Sequence, residues 1–350
     1  MASGVATLYD QFAATRRFDQ LDGLRGISIL LVITAHLHEP LWAPLRGALG
    51  VTVFFAVSGF IITTLLLREE QRHGAVSLTG FYLRRMFRIF PLYYLALAAA
   101  AVATLGVGRD EGSREQFAAA LPLFASFNGD LLPATITFGH SWSLGVEEKF
   151  YLVWPLLAFT AVATRRRAVL AASLVVLATA LTFFPATNYF GAYTPILGGC
   201  LLAVLLQHPT TFRRVAVLAH PGVAAVAVAA LVGAAVAVDP VGAHRPVFAV
   251  LLVAALPALL LNRWMVRVLS WRPLVYVGLR SYALYLFHPL VIRAVDRVAP
   301  PGGPVVVQAA RFLLVVAAGL VVAEVLFRLV ERPMIRLGHR VAGAASSRSV

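Results

Sequence analysis

Long apolar runs alternate with short polar interruptions along most of the chain. Bounded by Arg, Pro, Gly or polar clusters, they fall at about 24–41, 49–68, 85–106, 141–163, 167–185, 191–207, 215–237, 246–262, 274–295 and 304–329. Most approach or exceed the roughly 20 apolar residues a helix needs to cross a bilayer. None shows the period-2 alternation of barrel strands, and in lipid only helices or closed barrels satisfy every backbone amide. The pattern predicts an all-α fold: a polytopic integral membrane helix bundle with about ten transmembrane helices.

Composition agrees. Of 350 residues, 60% are hydrophobic and 13% charged, against roughly 45–50% and about 25% in soluble domains. No sizeable soluble domain fits. The expected organisation is a cytoplasmic N-terminal segment at 1–20, a transmembrane domain at 21–335 and a cytoplasmic C-terminal tail at 336–350. Cys200 is the single cysteine, which excludes an internal disulfide and any thiol-based metal or redox motif.

Thirty Lys and Arg against 16 Asp and Glu give a net charge of +14. In a soluble chain this would suggest nucleic acid, but here its distribution marks loops. Ten spans with both termini on one side put 22 of the 30 basic residues on that side, from Arg16, Arg17 and Arg25 to Arg340 and Arg348. Only Arg46, Arg109, Arg114, Lys149, Arg245, Arg293, Arg297 and Arg311 fall opposite. The positive-inside rule then places both termini in the cytoplasm of a cell with this protein in its inner membrane, with the bilayer and not nucleic acid as partner. Arg16–Arg17 precedes no small-residue cleavage site, so a removable twin-arginine leader is not expected. The outer connection at 107–140 carries an apolar piece, Phe117 to Phe127, too short to span and expected at the interface. The Ala/Val/Leu-rich stretch 165–265 reads as lipid-facing scaffold.

Ionisable groups inside spans are costly, so they are where function is sought. Arg25 opens the first span and His36 follows eleven residues later, about 16 Å along the axis at 1.5 Å per residue. The segment from His140 to Pro155 enters from outside, with Ser143, Glu147 and Tyr151 on one face. A His and a carboxylate at similar depth can form a general base and the group that orients it, whereas Glu148 and Lys149 read as a solvated charge cluster. In the ninth span Ser281, Tyr282, Tyr285 and His288 form a second polar stripe, or alternatively an aromatic belt. Arg84, Arg85 and Arg88 make a basic patch at the inner end of the third span. They anchor topology by default, but with Arg25 and Arg280 they could hold a phosphate-rich ligand. The run from Gly50 to Phe60 offers small residues for close helix packing, and Glu324 and Glu331 are expected to pair with arginines.

Six strings in order carry a family resemblance: LDGLRG with its spacing from Arg25 to His36, GVTVFFAVSGFII, RRMFRIFPLYY, HSWSLGVEEKFYLVWP, SYALYLFHPL and the closing VERP. Over nearly its whole length the chain resembles the acyltransferase-3 family, bacterial multipass membrane acyltransferases. With no hydrolase-like domain after the last span, it resembles the stand-alone form. The resemblance implies transfer of an acyl group, often acetyl, from cytoplasmic acyl-CoA as donor substrate to a hydroxyl of a carbohydrate, glycolipid or related acceptor. It assigns Arg25 and His36 to the family's essential pair, Glu147 to the SL-x-x-E glutamate, and Arg84, Arg85 and Arg88 to its basic motif. Arg280 would join these in holding acyl-CoA, and Ser143, Tyr151, Tyr282, Tyr285 and His288 would contact the acceptor. His36 would act as general base, with an acyl-histidine route as the alternative. Thiolate is already a good leaving group, so neither metal nor tightly bound cofactor is expected. Two rivals remain at this level: the same chemistry on a macrolide or other secondary metabolite, and a proton-coupled transporter or flippase.

Overall fold

The computed structural model describes residues 2–107, 110–184, 186–237 and 245–347. Arg109 and Arg348, counted in the charge asymmetry, lie outside the described residues, as does the side chain of Arg245. Among the described residues all regular structure is helical, as expected. In chain order the α-helices are α1 (Ala2–Ala14), α2 (Asp19–Leu37), α3 (Leu49–His73), α4 (Leu78–Ala101), α5 (Glu111–Ala125), α6 (Trp142–Leu156), α7 (Arg167–Leu181), α8 (Tyr193–Gln207), α9 (Pro209–Ala216), α10 (Pro221–Ala237), α11 (Arg245–Leu261), α12 (Arg263–Leu269), α13 (Arg272–Leu279), α14 (Ser281–Val295), α15 (Val305–Leu326) and α16 (Arg332–Ser347). Two compact units divide them: Met1–Val76 with Leu157–Ser281, and Ser77–Leu156 with Tyr282–Val350.

Among the described residues four stretches, Ala43–His73, Leu78–Val107, Asn188–Gln207 and Val305–Ala344, are long and apolar enough to cross a membrane, or up to seven if each bent helix pair is one span. Several of the expected runs fail for a physical reason. Glu147, Glu148 and Lys149 interrupt α6, and Arg165 to Arg167 crowd the start of α7, so neither offers a long stretch free of clustered charge. Elsewhere the chain turns: α11 meets α12 at 91°, and Pro209–Ala219 meets α10 at 72°.

In the first unit, carbonyl-to-glycine contacts fix the helix crossings. Asp19 and Asp22 lie in the first turn of α2, where negative charge complements the helix dipole. Further on, a Cβ on Gly23 would collide with the Leu269 carbonyl, one on Gly26 with that of Leu274, and one on Gly278 with that of Asp22. Thus α2 and α13 touch backbone to backbone. Replacing Gly278 with Ala should cost about 1–3 kcal/mol, the usual range for overpacking, and a thermal unfolding midpoint equal to wild type would show that the crossing can yield.

The packing role expected of the Gly50–Phe60 run holds. A Cβ on Gly50 would strike Ser28 O, and one on Gly59 would strike Ile196 O. Gly199 faces the Ala56 carbonyl in the same way, so α8 is locked onto α3. This corrects the reading of 165–265 as uniformly lipid-facing, because most of α8 is buried. Hydropathy does not distinguish a core helix from a lipid-facing one. Around this crossing Phe60, Leu206, Phe212, Leu252 and Leu256 form a fully buried core.

The expected run at 274–295 breaks at Arg280. Its backbone N–H bonds Val277 O at 3.0 Å, and its guanidinium folds back to 3.5 Å from the Tyr276 ring centroid and 3.2 Å from the Tyr276 carbonyl. One helix therefore ends in the first unit and the next, α14, builds the second.

In the second unit Ser77 caps α4, accepting the Gly80 N–H at 3.1 Å. Exposed Asp110 caps α5 in the same manner, and hydrogen bonds from the Ser113 hydroxyl and backbone hold its carboxyl below the ordinary Asp range. The short apolar piece expected at an interface is α5 and the turn after it. Phe117 and Phe124 are buried, and Phe127 stacks on Tyr93 with centroids 4.0 Å apart. Through a π-helical turn at Phe327–Glu331, α15 continues into α16, whose Gly338 lies against Phe87 of α4.

Candidate active-site residues

In the first unit His36 sits half-buried in the last turn of α2, which ends as His38 enters the left-handed region at φ 54°. Its Nδ1 lies 2.8 Å from the Val32 carbonyl. A carbonyl can only accept, so in the neutral ring Nδ1 carries the hydrogen and Nε2 the lone pair. That is the tautomer a general base needs at Nε2.

Arg25, three turns earlier, has its Nη1 4.0 Å from an Asp22 oxygen. The other Asp22 oxygen accepts from Arg17 at 3.0 and 3.2 Å. One carboxylate thus sits between two guanidinium groups, a role the sequence reading gave to no residue. The signal was present, since the i,i+3 spacing of Asp22 and Arg25 puts them on one face.

In the second unit two stripes that lie far apart in sequence meet. Tyr285 donates its hydroxyl hydrogen to the His140 carbonyl at 2.6 Å. With that proton committed, the 2.7 Å contact between Ser143 Oγ and Tyr285 OH must be donated by Ser143. His288, 1% exposed, has Nδ1 2.7 Å from the Tyr285 carbonyl, and its ring lies 5.1 Å from that of His140. His140 itself contacts the Leu286 carbonyl through Nε2 at 3.2 Å. The α14 stripe is therefore more than an aromatic belt: it closes on the start of α6 through buried polar bonds, and it recruits His140. Tyr282 instead ties α14 to α4, donating to Ile89 O at 2.8 Å.

One turn beyond Ser143 on α6 lies half-buried Glu147, and one turn beyond that Tyr151. The Arg85 guanidinium lies 5.1 Å from the Tyr151 ring centroid and 5.8 Å from that of Phe81. So α6 carries an unbroken polar stripe about 12 Å long at 1.5 Å per residue, from Ser143 to the arginine that the basic motif supplies. Arg84 and Arg88 are half-buried on the same helix as Arg85.

The neighbouring charges differ from their expected solvated cluster. Lys149 Nζ lies 2.6 Å from Asp130, whose side chain is completely buried. Glu148 has one buried carboxylate oxygen, Oε1, with no hydrogen-bond partner among the described residues. Gly145 admits the Asp130 pairing, because a Cβ there would collide with Asp130 Oδ1 and the segment around Asp130 packs directly onto α6. Glu331 is likewise buried, and Glu324 pairs with Arg328 at 2.5 Å, as the sequence suggests for an acidic group beside arginines.

Comparison with known proteins gives these residues a context. The chain is 29% identical over 367 aligned positions to a provisionally named peptidoglycan O-acetyltransferase, YrhL, of Bacillus subtilis, covering 95% of this chain and 57% of that one. It is 27% identical to the peptidoglycan O-acetyltransferase OatA of Listeria monocytogenes, covering 91% and 56%. A provisionally named O-acetyltransferase of Staphylococcus aureus is 26% identical, with 97% and 61% covered. The chain thus spans a little over half the length of the curated relatives it matches. No solved structure matches it. The profile of one family, described as an acyltransferase domain, matches residues 18–328. That span takes in α2, α4, α6 and α14 with the candidate site residues they carry, so the chain belongs to the acyltransferase-3 family.

Proposed function

We propose that the protein is a membrane O-acetyltransferase that moves an acetyl group from acyl-CoA to a hydroxyl of a cell-envelope carbohydrate. A peptidoglycan sugar is the acceptor class that the relatives' names suggest. The observation that carries the reading is the His36 tautomer, which leaves a basic nitrogen on a helix that the family profile covers. In this reading the acceptor oxygen attacks the thioester carbonyl carbon while His36 Nε2 takes the hydroxyl proton. The C–S bond then breaks, and the departing CoA thiolate takes that proton back from the imidazolium. The products are the O-acetyl ester and CoA with a free thiol, and no other reactant is needed.

Arg25 is proposed to serve the same reaction from α2, and Glu147 to serve it from α6. Arg84, Arg85, Arg88 and Arg280 are proposed to bind the phosphates of acyl-CoA, which planar guanidinium groups suit. Ser143, Tyr151, Tyr282, Tyr285 and His288 are proposed to bind the acceptor. The proposed setting is the cytoplasmic membrane, with about ten spans and both termini in the cytoplasm, on the charge asymmetry. Family membership weighs against the transporter reading.

The test is purified protein in nanodiscs with radiolabelled acetyl-CoA and soluble peptidoglycan fragments. Acceptor-dependent release of CoA with label on the sugar is the expected outcome; no CoA binding or release with any acceptor would overturn the reading. In the same assay Arg85→Ala should raise the KM for acetyl-CoA about tenfold or more with a smaller change in kcat. An unchanged KM would leave Arg85 with only its contact to Tyr151.

A further inference from the structure

The first unit holds a cavity of about 110 Å³ lined by Tyr9, Phe12 and Ala13 of α1, by Arg68, Gln71 and Arg72 of α3, and by Leu206 and Gln207 of α8. Two arginines one helical turn apart share it. Arg68 is half-buried and donates to the Phe12 carbonyl at 3.0 Å and the Thr15 carbonyl at 2.5 Å, while its guanidinium lies 5.1 Å from the Phe18 ring centroid. It therefore caps the end of α1 and still has three of its five N–H donors to offer. Arg72 stands exposed at the edge.

Among the described residues neither guanidinium has a carboxylate partner. Glu70, between them in sequence, is turned away and bound through both oxygens to Arg167. Two like charges held beside one cavity repel each other, and an anion between them would relieve the repulsion. The amides of Gln71 and Gln207 add neutral donors to the wall. At about 110 Å³ the space is well short of the roughly 300–1,000 Å³ of a drug-sized ligand pocket, so it fits one compact anionic group.

We infer that this cavity is a phosphate-group site that fastens the N-terminal helix to α3. It is separate from the residues assigned above to transfer, and it does not depend on the acetyltransferase reading. The phosphate group could come from a soluble phosphate or from a lipid headgroup. Either would bridge Arg68 and Arg72 and hold α1 against α3, with Tyr9 already tied to the Gln207 carbonyl at 2.9 Å.

Hydrogen exchange of α1 tests this on the full chain. In phosphatidylcholine nanodiscs, inorganic phosphate is titrated against chloride at constant ionic strength. In a second arm phosphatidylglycerol replaces part of the phosphatidylcholine and phosphate is omitted. A ligand at ten times its Kd should slow exchange of the α1 amides about elevenfold if they open together. Protection in the first arm identifies a soluble phosphate, and protection only in the second identifies a lipid headgroup. Arg72→Ala should abolish the protection yet leave exchange without phosphate within about twofold of wild type, because Arg72 holds no bond of the fold. No protection in either arm, or protection that survives Arg72→Ala, overturns the proposal.

Discussion

Replacing His36 with alanine should lower acetyl transfer by about 10²–10⁴-fold, the range that a positioned general base contributes. The side chain is only half-buried and its Nδ1 bonds a carbonyl of its own helix, so the variant should insert, purify and unfold like wild type. That combination separates chemistry from folding. Asparagine at the same position can keep a bond to the Val32 carbonyl but has no basic nitrogen, and it should be as inactive as alanine. Transfer at the wild-type rate by His36→Ala would remove His36 from the reaction. If Glu147 works with His36, the loss in a double variant with Glu147→Gln should be far less than the product of the single losses.

Replacing Arg167 with alanine should destabilise the first unit by about 3–5 kcal/mol, the cost of leaving a buried charge uncompensated. Its Nη1 and Nη2 lie 2.5 and 2.8 Å from the two oxygens of Glu70, its Nε bonds the Ala158 carbonyl, and the Phe159 ring covers it with a centroid 4.3 Å away. The arginine side chain is 3% exposed. A second variant distinguishes loss of the pair from loss of packing: Glu70→Met with Arg167→Met should recover most of the stability, because apolar groups of similar volume often replace a buried pair at little cost. Chemical unfolding in detergent gives both values. If Arg167→Ala unfolds at the wild-type midpoint, the pair contributes nothing.

Arg167 also shows where sequence reading stops. Charge counting placed it with Arg165 and Arg166 as a topology marker, yet it closes an ion pair across 97 residues. Local patterns do not encode such a distance. What they do encode held up: the helical class, and the small residues of the Gly50–Phe60 run that bring α3 to backbone contact with α2 and α8. The polar stripe on α6 was legible because its residues recur every four positions. That Tyr285 would meet Ser143, 142 residues away, was not. The break at Arg280 was hidden for a different reason: hydrophobic residues continue on both sides, and the bond from Arg280 N–H to Val277 O that ends α13 leaves no mark in hydropathy.

The crossing of α3 and α8 also decides the fate of the lone thiol. Cys200 is fully buried there, with its sulfur 3.7 Å from the Gly59 carbonyl. A membrane-impermeant maleimide has no path to it in the folded protein. The native chain is therefore already a silent background for scanning-cysteine mapping, in which single cysteines placed in loops report which face of the bilayer each loop occupies.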